Sequence, residues 1–123
     1  MIAGFVTSNK EAIIRLLVRG NDRQEEMVDA VIDTGFNGFL VLPLSLISAL
    51  ALPFAGTTRT TLGDGSEVRM DVFEATVLWD NQERSVVALA TQGDALVGMS
   101  MLSGSRMTLE VENGGFVTIE SLS

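Results

Sequence analysis

Apolar residues in this chain fall in short runs separated by turn-forming residues: Ser8-Asn9, Gly20-Asn21-Asp22, Gly63-Asp64-Gly65, Asp80-Asn81, Gly93-Asp94 and Asn113-Gly114-Gly115. That rhythm predicts a mainly β protein with an antiparallel sheet, either a sandwich or a partly closed barrel. Ala12 to Val18 fits a helix through Ile13, Leu16 and Leu17 about as well as a strand through Ala12, Ile14, Leu16 and Val18. The turn at Gly20-Asn21-Asp22 and the β-type run from Met27 to Ile32 favour a hairpin. In Glu67 to Trp79 the alternation of Val68, Met70 and Val72 slips phase and continues through Phe73, Ala75, Val77 and Trp79. A slip of one residue predicts a bulge, a sharp bend or a change of strand partner near Val72. Helix signals are few. Pro43 stands at a first helical position, with Leu46, Ile47 and Leu50 on one face and Pro53 as the stop. A second short turn of helix is expected over Met99 to Leu102. Met107 to Glu112 and Phe116 to Glu120 read as a closing hairpin, and no apolar run reaches the roughly 18 residues a membrane span needs.

Composition narrows the chemistry. The chain has 123 residues, 46% hydrophobic and 20% charged, which predicts one folded domain over residues 1–123. It has no His, Cys or Tyr, and Lys10 is its single lysine. A Ser-His-Asp triad, a Cys-His dyad and a structural zinc site are therefore excluded, and a carboxylate is left as the natural acid or base. The formal net charge of −8 repels phosphate backbones and anionic lipid, so neither nucleic acid nor a membrane is an expected partner. Met1 to Val6 lacks the basic region of a signal peptide, and the expected location is cytoplasmic. The absence of cysteine does not fix the compartment.

The candidate chemistry lies at Asp33-Thr34-Gly35, between the apolar runs Val31-Ile32 and Phe39 to Leu42. Taken alone, it reads as an Asx turn in which the carboxylate bonds nearby amides. Val31-Ile32-Asp33-Thr34-Gly35 nevertheless resembles the active-site signature of the aspartic proteases. Further on, Leu96-Val97-Gly98-Met99-Ser100-Met101-Leu102 is similar to the second hallmark of the single-domain retropepsin-like members, two apolar residues and a glycine opening a short helix. Between them, Leu62-Gly63-Asp64-Gly65-Ser66 stands where such proteins place the flap hairpin; Asp64-Gly65 also reads as a two-residue hairpin turn.

The resemblance implies a retropepsin-like partly closed β-barrel with one or two short helices, one half of a dimeric enzyme. Asp33 would be the catalytic aspartate, Thr34 would bond across a two-fold axis, and Gly35 would leave room for substrate. Gly63, Asp64, Gly65 and Ser66 would form the flap tip, with Phe36 and Val97 lining the substrate site. No metal or cofactor is called for. The partners would be a second copy of the chain and an extended peptide or protein substrate. The sequence departs from the family pattern at Phe36 and Asn37, where a small residue and Ser or Thr are usual. It departs again at Met99 and Ser100, where an ion-pairing Arg and Asp or Asn are common.

One Asp-Thr-Gly per chain means that a protease must be a homodimer, since the chemistry needs two carboxylates sharing a proton. At physiological salt the Debye length is about 8 Å, so most of the repulsion between two such chains is screened. The terminal segments are expected to supply a β-type interface, with Phe116, Val117 and Ile119 as contributors or, equally, as ordinary core. Two other readings stand beside the protease. One is a catalytically silent dimeric β-barrel that binds peptide or serves as an assembly module. The other is a carboxylate Ca²⁺ site in Asp22 to Asp29.

Overall fold

Alternation buries Ile14, Leu16 and Val18 on one face of strand β2 (Ala12–Arg19) and Ala30 on the same face of β3 (Glu25–Ile32). The two strands form the expected hairpin, with Ile14 opposite Ala30 and Leu16 opposite Val28. The computed structural model describes all of residues 1–123. Its other strands are β1 (Ile2–Val6), β4 (Leu40–Pro43), β5 (Phe54–Thr61), β6 (Glu67–Trp79), β7 (Gln82–Thr91), β8 (Leu96–Val97), β9 (Ser105–Leu109) and β10 (Phe116–Ser121). Two short helices, α1 (Leu44–Ala49) and α2 (Met99–Leu102), complete the chain. No helix is long and apolar enough to cross a membrane.

All ten strands form one sheet in the order β5-β6-β7-β4-β8-β3-β2-β1-β10-β9. A further antiparallel pairing of β6 with β2, Val77 opposite Val18, closes six of them into a barrel. Val18, Leu40, Leu42, Val77, Ala88, Val97 and Met101 fill it. Two parts project from this barrel. One is the β5–β6 hairpin; the other is the sheet extension β1-β10-β9.

The phase slip in β6 has a clear origin. Along one edge β6 pairs with β5 from Glu67 to Phe73 and then with β2 from Thr76 to Leu78. It changes partner where the hydrophobic phase shifts, because the face that must be buried changes as the strand leaves the hairpin and enters the barrel wall. The extra residue lies on the partner strand: Phe54 faces Phe73 and Gly56 faces Val72, which leaves Ala55 unpaired. Against β7 the register of β6 runs without a break.

Two expectations need correction, and two readings left open are decided. Pro43, expected as the first helical residue, is extended (φ −59°, ψ 140°), ends β4 and precedes α1. Ile47 in α1 and Leu50 at its C-terminal cap are buried and Leu46 packs against them in the core, the face expected, but α1 ends at Ala49 and Ala51 takes a left-handed turn (φ 49°) before Pro53 is reached. Of the proposed interface residues, Val117 (0% exposed) and Ile119 belong to the chain's own core, and only Phe116 (68%) is open. The reason is that β10 is a central strand, bonded to β1 on one side and β9 on the other. Finally, the acidic run makes no ion site: Glu25 pairs with Arg19 and Asp29 with Arg15, and no three carboxylates converge.

Candidate active site

β3 delivers Asp33 from the barrel wall. Ala30 points into the core, so Val31 and, beyond the strand end, Asp33 fall on the opposite side, and Asp33 is half-exposed. β8 is wedged beside this strand end, parallel to β3 (Ile32 opposite Val97) and antiparallel to β4 (Leu40 opposite Val97). The segment from Asp33 to Phe39 therefore loops around β8 to reach β4.

Backbone hydrogen bonds pin that loop from both ends. The Asp33 amide donates to Val97 O (2.9 Å) and the Gly98 amide to Phe39 O (3.0 Å). The first amides of α2, Met99 and Ser100, donate to Phe36 O (2.8 Å) and Gly38 O (3.1 Å). Within the loop, the Gly35 amide donates to Asp33 Oδ1 (2.9 Å) and the Phe36 amide to Asp33 O (3.2 Å). Gly98 permits this closeness: a Cβ there would overlap Gly38 O and lie 2.8 Å from Phe36 O.

Each sequence-predicted residue can now be located. Thr34 and Gly35 are exposed on the loop beside Asp33. The Phe36 ring is half-buried and lies against Gly38 and Gly98, occupying the space their missing side chains leave. Val97 is corrected: its side chain is fully buried in the core (0% exposed), a placement worth about 1.5–3 kcal/mol, so it does not line a substrate site. Its strand neighbour Leu96 is on the other face and joins Val31, Ile32, Asp33 and Thr34 around a depression of about 450 Å³. Sequence reasoning missed that Lys10, Met107 and Leu109 share this depression. A separate hollow of about 350 Å³, lined by Trp79, Arg84 and Glu120 among others, shares no residue with it.

Ser100 stands where the family pattern has an ion-pairing residue. Its hydroxyl instead donates to Asn37 O, a direct tie from α2 to the loop. The spacing of a hydroxyl residue just after the helix-opening glycine was the available signal.

Gly63, Asp64, Gly65 and Ser66 lie at the tip of the β5–β6 hairpin, apart from Asp33 in sequence and exposed. The turn differs from the two-residue type read from Asp64-Gly65. The Gly65 amide donates to Leu62 O (2.9 Å), the Leu62 amide to Ser66 O (2.8 Å), and Gly65 alone is left-handed (φ 85°). That is a three-residue loop. It is favoured because Asp64 keeps a negative φ and its Oδ1 accepts from the Ser66 amide (2.9 Å) and hydroxyl (2.6 Å). These bonds, the hydroxyl's first, hold the Asp64 carboxyl below the ordinary carboxylate range.

Several solved structures share this architecture. A retropepsin-like aspartic protease from Rickettsia conorii matches with a TM-score of 0.61 at 13% identity, covering 98% of this chain and 90% of that one. EIAV protease complexed with the inhibitor HBY-793 matches at 0.56 and 19%, covering 76% of this chain and 86% of that one. The Simian Foamy Virus (mac) protease matches at 0.50 and 18%, covering 72% and 90%. No family model and no curated protein matches the chain. At these identities the likeness is one of fold.

Proposed function

Starting from a retropepsin-like fold that carries a single Asp-Thr-Gly turn, we propose that residues 1–123 form one domain, half of a homodimeric aspartic endopeptidase. One observation carries this reading. Asp33 stands at the end of β3, half-exposed, on a loop held by hydrogen bonds from β8 and α2 that leave its position little freedom.

In the dimer, Asp33 of each copy meets the other at the two-fold axis. The chemistry needs the two carboxylates to share one proton. The ionised member takes a proton from a water lying between them as that water attacks the scissile carbonyl carbon. The protonated member donates to the carbonyl oxygen. Collapse of the tetrahedral diol passes a proton to the leaving amine, with no covalent enzyme intermediate and no cofactor. Thr34, exposed beside Asp33, bonds across the axis, and Gly35 leaves room for the substrate main chain.

Substrate binds extended, as an added strand between the loop floor and the hairpin tip at Gly63–Ser66. Val31 and Leu96 beside Asp33, and the exposed Leu62 at the hairpin tip, favour apolar side chains flanking the cut. The packing of Phe36 onto Gly98 supports an active site, since its ring braces the loop.

Cleavage of a diverse peptide mixture between about pH 4 and 7 tests the reading, with wild type compared against Asp33→Asn. The expected result is cleavage by wild type with a bell-shaped pH profile. The variant is expected to keep its fold and assembly while losing activity by about 10³-fold or more. Peptide binding without Asp33-dependent turnover would make the chain a silent binding module.

A further inference from the structure

We propose that the hollow between the β6–β7 turn and the end of β10 binds a short-chain carboxylic acid, its carboxylate seated on Arg84. The hollow has a volume of about 350 Å³ and shares no lining residue with the depression at Asp33, so the proposal stands apart from the protease reading.

Strand register decides which side chains enter it. Val77 is fully buried and faces Arg84 across the β6–β7 pair, so the Arg84 side chain leaves β7 toward the barrel interior. Trp79 and Gln82, the next facing pair on that side, follow it toward the turn. On the other wall Ile119 is buried, and alternation puts Ser121 and its partner Ser105 on the same face. That alternation turns the Glu120 side chain to the opposite face, and Asp80, at the rim, is paired with the Met1 ammonium. The polar side chains entering the hollow can all donate hydrogen bonds, and only Arg84 among them is charged.

Arg84 is held in place without being satisfied. Its Nη1 donates to Met101 O in α2 (3.1 Å), and its guanidinium lies over the Phe39 ring, 6.0 Å from the centroid. No carboxylate pairs with it, whereas Arg15, Arg19 and Arg59 each have one. Its Nε–Nη2 edge is left without an acceptor in the protein, and that edge is a two-pronged donor fitted to a planar carboxylate. Trp79 supplies a second, independent observation. It is 8% exposed and its indole N–H has no acceptor in the protein, yet no enclosed polar atom lacks a partner. The N–H therefore reaches solvent, and the hollow is the opening that Trp79 borders. A donor on so buried a side chain is normally paired.

The walls select the rest of the ligand. Ile2, Ile119 and the Trp79 ring supply apolar surface beside the Ser105 and Ser121 hydroxyls. That suits a short carbon chain behind the carboxylate better than an inorganic anion, and the volume suits a small molecule. The net charge of −8 opposes any anion, although salt screens it beyond about 8 Å. A Kd of about 1 mM is therefore expected.

Trp79 is the only tryptophan in the chain, so its indole N–H gives one isolated NMR signal at the hollow itself. Titration of the full chain with butyrate should move that signal saturably. Butyramide, which lacks the charge, and inorganic phosphate, which lacks the carbon chain, should bind at least about ten-fold more weakly. Arg84→Lys keeps the charge and loses the fork, and should weaken butyrate by about ten-fold or more. If that variant does not fold, Ser105→Leu fills the hollow from β9 without touching the bond from Arg84 to Met101, and should abolish the shift.

No saturable shift with butyrate would overturn the proposal, as would a folded Arg84→Lys or Ser105→Leu variant that binds butyrate like wild type. Butyramide or phosphate binding as tightly as butyrate would overturn the assignment of a carboxylic acid. So would the peptide acetyl-Ala-Ala-Ala binding about ten-fold more tightly than butyrate, because the occupant would then be a chain end. Each of these results leaves the protease reading, tested at Asp33, where it stands.

Discussion

Two turns in this protein share one local design. In each an aspartate Oδ1 accepts from the amide two residues on, at 2.9 Å: Asp33 from Gly35 and Asp64 from Ser66. Their surroundings differ. The Asp33 turn is bonded to β8 and α2 through Val97, Phe39, Met99 and Ser100, and a glycine with no space for a Cβ lies against it. The Asp64 turn is held by its own residues, Leu62 to Ser66, and a Cβ at Gly63 or Gly65 would meet nothing within 4 Å. Sequence-local chemistry makes both turns; tertiary packing fixes one and leaves the other held only by its own residues, as the proposed floor and lid would require. A rigid carboxylate and a movable cover are the division of labour that water-excluding catalysis needs.

The contrast breaks most sharply at Gly98. Gly98→Ala forces the Gly38 and Phe36 carbonyls apart and should cost about 3 kcal/mol, a fall of about 10 °C in Tm by thermal melting. The matching change on the lid is far milder. Gly65→Ala meets open space but holds a left-handed φ of 85°, so it should cost about 1 kcal/mol. Gly63→Ala, with neither constraint, should stay within about 0.5 kcal/mol of wild type in the same melt. Comparable losses at Gly98 and Gly63 would remove the distinction between floor and lid.

A smaller effect is expected with pH. The Asp64 carboxyl is lowered by its bonds from Ser66. The ordering it gives the lid is therefore complete above the usual carboxylate range, near pH 3.9, and is lost only as the pH falls through the lowered value. NMR of the Ser66 amide in an acid titration should show the turn loosening late, below the ordinary carboxylate midpoint. Ser66→Ala should move that loosening upward in pH.

Much of this was legible in the sequence because it was local. The β2–β3 hairpin, the α2 turn after Gly98 and the Asp33 Asx turn all follow from period, caps and turn chemistry. The parts that were not legible depend on a partner strand. The break in β6 alternation marked the right residues, yet the unpaired residue is Ala55 on β5, which single-strand periodicity cannot reveal. Val97 and Leu96 are adjacent apolar residues, and only pairing with Ile32 and Leu40 decides which one faces the core. The β9–β10 hairpin was legible from its alternation and Gly-rich turn, but nothing in the sequence shows that β10 also pairs with β1, which makes it a central strand.

The central claim is that catalysis uses Asp33 from two copies, and mixing wild type with inactive Asp33→Asn measures this directly. If subunits exchange at random, a constant amount of wild type should keep about half its activity with one equivalent of the variant and about one-tenth with nine. Activity that stays unchanged at every ratio, with subunit exchange confirmed by sedimentation of differently labelled chains, would show that one chain carries a complete site and would contradict the account.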